Sequence, residues 1–332
     1  MPREQFHWAV LDSVSARAES SSSLQAVSQC LSSFKTSALV GAMAHDAPYY
    51  YHWGAGDFEK VASELHGRNG NDTLEPLRRL ASKIIEIENK ETRERFWAFF
   101  LGMLTHFASD IVLHPLVNYF TGNYHDVDKE KKRASRIRHR LLEVYIDAWV
   151  GKRYEFAHSI RYKTLVRNLG KDFFLELCSV LAEIFNTPAK HWRDGMHDMA
   201  DLQTACLSPF GGLTMALMNL VSGGKFAPIE ALSSFRRNGA FNIFDSKLDY
   251  KNPYSGEPRS ANLRELLEES ANHSLVLFEL MNPLIARETL DVNQVFASIK
   301  GPSLDYGIVG IKNNEGKYFS EKGIELPGLA IT

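Results

Sequence analysis

The chain has 332 residues, of which 44% are apolar, so it can bury a large core and wholesale disorder is excluded. Its 38 basic residues nearly balance 40 acidic ones, which speaks against a long duplex-tracking surface and against membrane binding through bulk charge. Cys30, Cys178 and Cys206 are odd in number and far apart, with no CxxC or CxxH pairing, so a disulfide scaffold and a thiolate zinc site are both poor readings and buried reduced thiols are expected.

In chain order, helical periodicity predicts helices over residues 4–18, 24–44, 57–66, 74–89, 92–121, 130–151, 157–187, 196–222, 227–238 and 262–284. The amino-terminal stretch MPREQFHWAVLDSV has no basic region followed by an apolar run, so the expected location is cytoplasmic, and no apolar run approaches a bilayer span. The segment ETRERFWAFFLGMLTHFASDIVLHPLVNYF is apolar nearly all round, as in the central helix of a bundle. Strand-type alternation is scarce. The fold class is therefore all-α, a multi-helix bundle. A long loop over residues 242–261, carrying Pro253, Gly256 and Pro258, reads as a joint. It suggests a main helical domain, 1–225, and a C-terminal helical extension, 226–332. In the tail, Asn313–Gly316 is expected to turn a β-hairpin.

The strongest chemical signal is His106-Phe-Ala-Ser-Asp110-Ile-Val-Leu-His114, whose steps of four place three metal-binding side chains on one helix face. His139-Arg-Leu-Leu-Glu143-Val-Tyr-Ile-Asp147 repeats the step on the next helix, and facing ligand rows are how bundles build multinuclear sites. A single His-x-x-x-Asp/Glu spacing carries little weight, since about one or two arise by chance in such a composition. The double step from His106 to His114 is far rarer, and it lies in the most apolar helix, where unpaired imidazoles and a carboxylate are costly. A hydrogen-bonded His–Asp core pair is the bland alternative. His197/Asp201 has no matching motif and reads as structural. His125 and Asp126 fall in a polar loop. Asp147 reads equally as an acid orienting an imidazole or as a surface group. Tyr49, Tyr50, Tyr51, His52 and Trp53 either line a cleft or pack a bundle end.

LGMLTHFASDIVLHPLVNY followed by HRLLEVYID resembles the central motifs of the zinc-dependent phospholipase C family, whose fold is shared with the S1/P1 nucleases and holds three zinc ions in a helical cleft. ALVGAMAHDAPYY is similar to the family's short Gly…Pro-Asp segment, with His45 in place of the proline, which matches Asp46 to a metal-binding aspartate. His66 falls where the family has a histidine between that aspartate and the central helix, and His7 matches one near the family's amino terminus. The resemblance covers roughly residues 5–150. It implies a di- or tri-zinc centre: one ion on Asp46, His66, His106 and Asp110, a second on His114, His139 and Glu143, and a third on His7 with the shared Asp110. In secreted members the free amino terminus completes the third site, whereas six residues precede His7 here. The implied activity is zinc-dependent hydrolysis of a phosphodiester, with a phospholipid as first substrate and Asp46 as ligand and proton acceptor. Ala47 departs from the choline-preferring enzymes. The alternatives are an S1/P1-type single-strand nuclease and a non-catalytic, metal-stabilised binding module.

Overall fold

The computed structural model describes residues 4–54, 57–233, 241–297, 299–329 and 331. The helices are α1 (Glu4–Ser20), α2 (Gln25–Ser33), α3 (Lys35–Gly41), α4 (Ala47–Tyr50), α5 (Glu59–Leu65), α6 (Glu75–Glu86), α7 (Lys90–Thr121) and α8 (Lys129–Arg153). They continue as α9 (Glu155–Ser159), α10 (Tyr162–Asn168), α11 (Lys171–Phe185), α12 (Ala189–Leu207), α13 (Pro209–Val221), α14 (Ala227–Glu230), α15 (Leu263–Ile285) and α16 (Val292–Phe296). The fold is all-α. The two strands among the described residues, β1 (Leu248–Lys251) and β2 (Pro258–Ala261), pair antiparallel with Leu248 opposite Ala261.

The 32-residue helix α7 is the axis of the bundle. Asn89 caps it by accepting from Thr92 N, and Gly122, at φ 90°, ends it where a side chain would be strained. It is long and apolar enough to span a bilayer, yet 94% of its apolar window is buried within the protein, as expected of a core helix. α3 crosses α7 at a glycine pair. A Cβ on Gly102 would lie 2.0 Å from Ala38 O, and one on Gly41 would lie 1.9 Å from Phe99 O, so only glycine permits this approach. α8 follows the Gly122 turn, capped by Asp128, whose carboxylate accepts from Glu130 N and Lys131 N. α1 and α15 complete the wall around α7, and Leu263, Leu267 and Phe278 of α15 share the core with Phe6, Trp8 and Phe100.

Several expected boundaries shift. The helix expected over 24–44 breaks at Phe34, whose φ/ψ of −129°/42° is non-helical, and the one expected over 157–187 breaks at Ile160 and at Gly170, with φ 77°. The one expected over 196–222 starts earlier, after Pro188, and breaks at Ser208, which caps α13 ahead of Pro209. Residues 234–238 of the helix expected over 227–238 lie outside the described residues.

The β-hairpin expected at Asn313–Gly316 does not form: Asn313–Glu315 is a 3-10 turn, held because Asn313 is buried and bonded to Ser303 and His66. The observed hairpin lies instead within the expected loop 242–261. There the Asn252 carboxamide oxygen accepts from Tyr254 N and Ser255 N, and Gly256 takes φ 75°. Beyond α16 the chain runs back over the bundle. Leu304 N donates to His66 O, and Gly307 crosses α7 so closely that a Cβ there would lie 2.9 Å from Ile111 O. Ile111 O is the carbonyl that Pro115 leaves without its intrahelical donor.

Candidate metal centre

Five segments converge on one buried point. α7 supplies His106, Asp110 and His114 from successive turns, and α8 supplies His139 and Glu143. α1 supplies His7, the turn after α3 supplies His45 and Asp46, and the residue that ends α5 is His66. All of these residues are at most 3% exposed.

Asp110 is the hub. Its Oδ2 lies 3.1 Å from His106 Nε2 and 3.4 Å from His66 Nε2, and its Oδ1 lies 3.5 Å from His114 Nε2 and 3.6 Å from His7 Nε2. Asp46 Oδ1 is 3.4 Å from His66 Nε2 and 3.7 Å from His106 Nε2. On the α8 side His139 Nε2 is 2.8 Å from Glu143 Oε1. The donor atoms fall into three groups compact enough for one ion each: His7/His106/Asp110, Asp46/His66/His106 and His114/His139/Glu143. The structure thus brings together all eight residues matched from sequence. In this grouping His106 is common to two sets, and Asp110 touches ligands of all but the His139/Glu143 pair. Residues 1–3, including the amino terminus, lie outside the described residues.

The donors are aimed. His106 Nδ1 donates to Ala42 O and His66 Nδ1 to Ala62 O, both at 2.7 Å, which fixes the tautomer and turns each Nε2 lone pair inward. The glycine crossing of α3 and α7 is what brings Ala42 O within reach of His106. Facing inward, His106 Nε2, His66 Nε2 and both oxygens of Asp46 and Asp110 make no well-formed hydrogen bond, a costly state for buried polar atoms unless a cation is their partner. Imidazole nitrogen and carboxylate oxygen are the donor set zinc takes. The residues present therefore fit the metal.

The ionisation pattern agrees. Burial alone would lift the Asp110 carboxyl, but the surrounding imidazoles His106 and His114 hold it well below the usual range. Burial works against protonation of His66, yet the carboxylates Asp110 and Asp46 overcome it and raise His66 to about 10; His106 is raised by the same pair. His7, His45 and His139 are held neutral, by burial first. Without a metal, a proton on His66 lies between the carboxylates of Asp46 and Asp110.

Residues outside the motifs complete the site. Asp305, from the C-terminal crossing, lies 3.5 Å from His114 Nδ1 and 2.8 Å from His125 Nε2, and it accepts from Asn313 Nδ2. Nothing in its local sequence, SLDYG, marks it; only the fold carries it there. His125 therefore reaches the outer layer of the site, whereas Asp126 merely caps its own turn by accepting from Asp128 N. Asp147 is not a surface acid. Its buried carboxylate accepts from Gln5 N and Phe6 N, so it pins the start of α1 beside His7. His45 stacks on His106 with ring centroids 4.7 Å apart, and neither of its nitrogens is hydrogen-bonded. Tyr49, Tyr50, Trp53, Tyr124 and Arg140 line a narrow mouth above His139 and Glu143. Tyr51 instead packs on Phe58 and His191. His197 and Asp201 border a separate surface cleft, with Asp201 paired to Lys163. The three cysteines are buried and unbridged.

An all-α bundle with inward-facing imidazole–carboxylate groups at its centre is an arrangement that can hold metal ions. Residues 6–186, more than half of the chain, match the family model described as zinc dependent phospholipase C, and the chain belongs to that family. Comparison with curated proteins and with solved structures gave no match.

Proposed function

We propose that the protein is a zinc-dependent phosphodiester hydrolase acting on a phospholipid and releasing a phosphorylated head group. The observation that carries the reading is the buried hub at Asp110, where both oxygens of Asp110 and Asp46 and the inward Nε2 atoms of His66 and His106 converge without a well-formed hydrogen bond, beside the compact His114/His139/Glu143 group. Asp46, His66 and His106 would hold one ion, His114, His139 and Glu143 a second, and His7 with Asp110 and His106 a third. Zinc in such a site supplies Lewis acidity, acidifying water to a pKa of about 7 and neutralising charge on phosphoryl oxygens.

The chain's own groups supply the rest. Asp46 Oδ2, which makes no hydrogen bond, is placed to accept the proton of an attacking water. Arg140 stands at the mouth, beside Tyr124, where a phosphate entering toward His139 would meet a fixed guanidinium. Burial raises the Tyr49 phenol well above its usual range, so it stays protonated and can donate to an anionic oxygen.

The test is metal content of the purified protein, wild type beside Asp110→Ala, followed by turnover of a soluble short-chain glycerophospholipid. Two or three zinc ions per chain, at least one fewer in the variant, and turnover abolished by chelation are expected. A folded wild type that binds no zinc after reconstitution overturns the reading. Cleavage of single-stranded DNA without lipid turnover would move it to the nucleases sharing the fold. Bound zinc without turnover of any phosphodiester would make the domain a binding module.

A further inference from the structure

Helix α13, PFGGLTMALMNLV, contains no charged residue, and it is turned inside out. Only Gly212 and Met215 are buried, while Phe210 is 83% exposed, Leu213 54%, Leu217 59% and Leu220 77%. These four recur at steps of three, four and three, so they form one outward stripe. A helix on a soluble surface carries its apolar stripe inward, and a continuous apolar stripe facing out marks a contact site. The fold sets α13 apart, since it leaves α12 at 97° across the Ser208 break.

Two features flank the stripe. The first, on the adjoining face of α13, is an apolar groove of about 450 Å³ between α13 and the α4 region, lined by Trp53, Met215, Met218, Phe226 and Ile229. Trp53 and Ile229 also line the mouth above His139 and Glu143, so the groove and the mouth adjoin. The second is charge. The start of α8, KEKKRASRIRHR, has seven basic residues against one acidic; Lys129 and Lys131 are exposed, while Arg136 pairs with Glu59 and Arg138 donates to Thr121 O. It is tied to the chain just beyond α13: Arg133 donates to Gly224 O in the following turn, and Arg140, two turns on, donates to Pro228 O of α14. Lys225 stands exposed between these two carbonyls.

We propose that the outward stripe of α13, with the basic start of α8 beside it, docks on an anionic phospholipid bilayer and holds the mouth of the metal centre against the lipid surface. An apolar helix face edged by cations is the pattern of helices that lie in a bilayer interface, and each nearby Lys or Arg adds attraction to anionic lipid. The groove accepts an acyl chain while the phosphate approaches Arg140. Charge selects this occupant over a second copy of the chain, since self-association about α13 would set like-charged basic edges against each other. The inference rests on the phospholipid reading of the substrate.

The experiment is co-sedimentation of the full chain with vesicles of phosphatidylcholine, with and without phosphatidylserine, beside turnover of a soluble short-chain phospholipid. Binding should require phosphatidylserine and weaken with salt. Replacing two outward leucines, Leu213→Glu with Leu217→Glu, should lower vesicle partitioning at least about tenfold, because each buried leucine side chain contributes a tenfold factor or more. Turnover of the soluble substrate and the helical circular dichroism should not change. Lys225→Glu should weaken binding to phosphatidylserine vesicles alone. Soluble turnover without vesicle binding overturns the docking surface and leaves the hydrolase reading standing. Vesicle binding without any phosphodiester turnover supports the surface and overturns the hydrolase reading. A dimer abolished by the double substitution, with no vesicle binding, overturns the proposal in favour of self-association.

Discussion

Replacing Asp305 by alanine tests whether the C-terminal crossing is part of the metal centre. The carboxylate has three partners: His125 Nε2 at 2.8 Å, His114 Nδ1 at 3.5 Å, and the Asn313 carboxamide. Burial alone would raise its pKa, but His114 and His125 hold it well below the usual carboxylate range, so it is an anion throughout the neutral region. Removing it strands buried donors, at about 1–3 kcal/mol for each, and the sum after relaxation should be about 3–5 kcal/mol. That is a large part of the ~5–15 kcal/mol that holds a domain folded. His114 also loses the group that orients its ring toward Asp110, and the loss of such an orienting carboxylate typically weakens metal binding about 10–100-fold. Urea unfolding measures the first effect and chelator competition for zinc the second. Asp305→Asn separates them, since a carboxamide oxygen can still accept from Asn313 and restore part of the stability, whereas its lost charge cannot restore zinc affinity. Wild-type zinc affinity in a folded Asp305→Ala protein would refute the orienting role.

Two further outcomes are expected. Gly102→Ala places a Cβ 2.0 Å from Ala38 O and must push α3 off α7, so a loss above about 3 kcal/mol is expected by urea unfolding, with weaker zinc binding because Ala42 O moves away from His106. A variant as stable as wild type would show that the crossing has slack. The second concerns pH. His66 is raised to about 10 in the metal-free protein, so its proton contributes stability that is complete below its unfolded pKa of about 6.5 and is lost as pH rises through about 10. Zinc needs that nitrogen unprotonated, so binding must release a proton, and apparent affinity should rise about tenfold per pH unit within this window. Calorimetry in buffers of different ionisation enthalpy counts the protons; no release on binding would refute the assignment of His66.

The all-α class was legible because α7 is apolar on every side, which leaves it nowhere to sit but the centre. The rows His106–Asp110–His114 and His139–Glu143 were legible because a helix converts a step of four into a shared face whatever surrounds it. Asp46, His66 and His7 have no periodic signature of their own and were found through the resemblance to the family. Asp305 and the role of Asp147 were invisible, since each depends on which distant backbone is carried against it. The displaced hairpin has a local cause. Asn313 and Gly316 have turn chemistry, but burial of Asn313 against His66 and Ser303 outweighs it, while Asn252 and Gly256 keep their strands free to pair.

The bond between His125 and Asp305 spans 180 residues of sequence, and Asn118 reaches Asp305 O across 187. Closing so long a loop costs entropy before any contact repays it, so this edge of the site belongs to the late part of folding. On the ribosome α7 and α8 emerge long before residue 305, and until it arrives His114 has no carboxylate behind its ring. This corner of the site therefore waits on a segment made long after the helices that confine it.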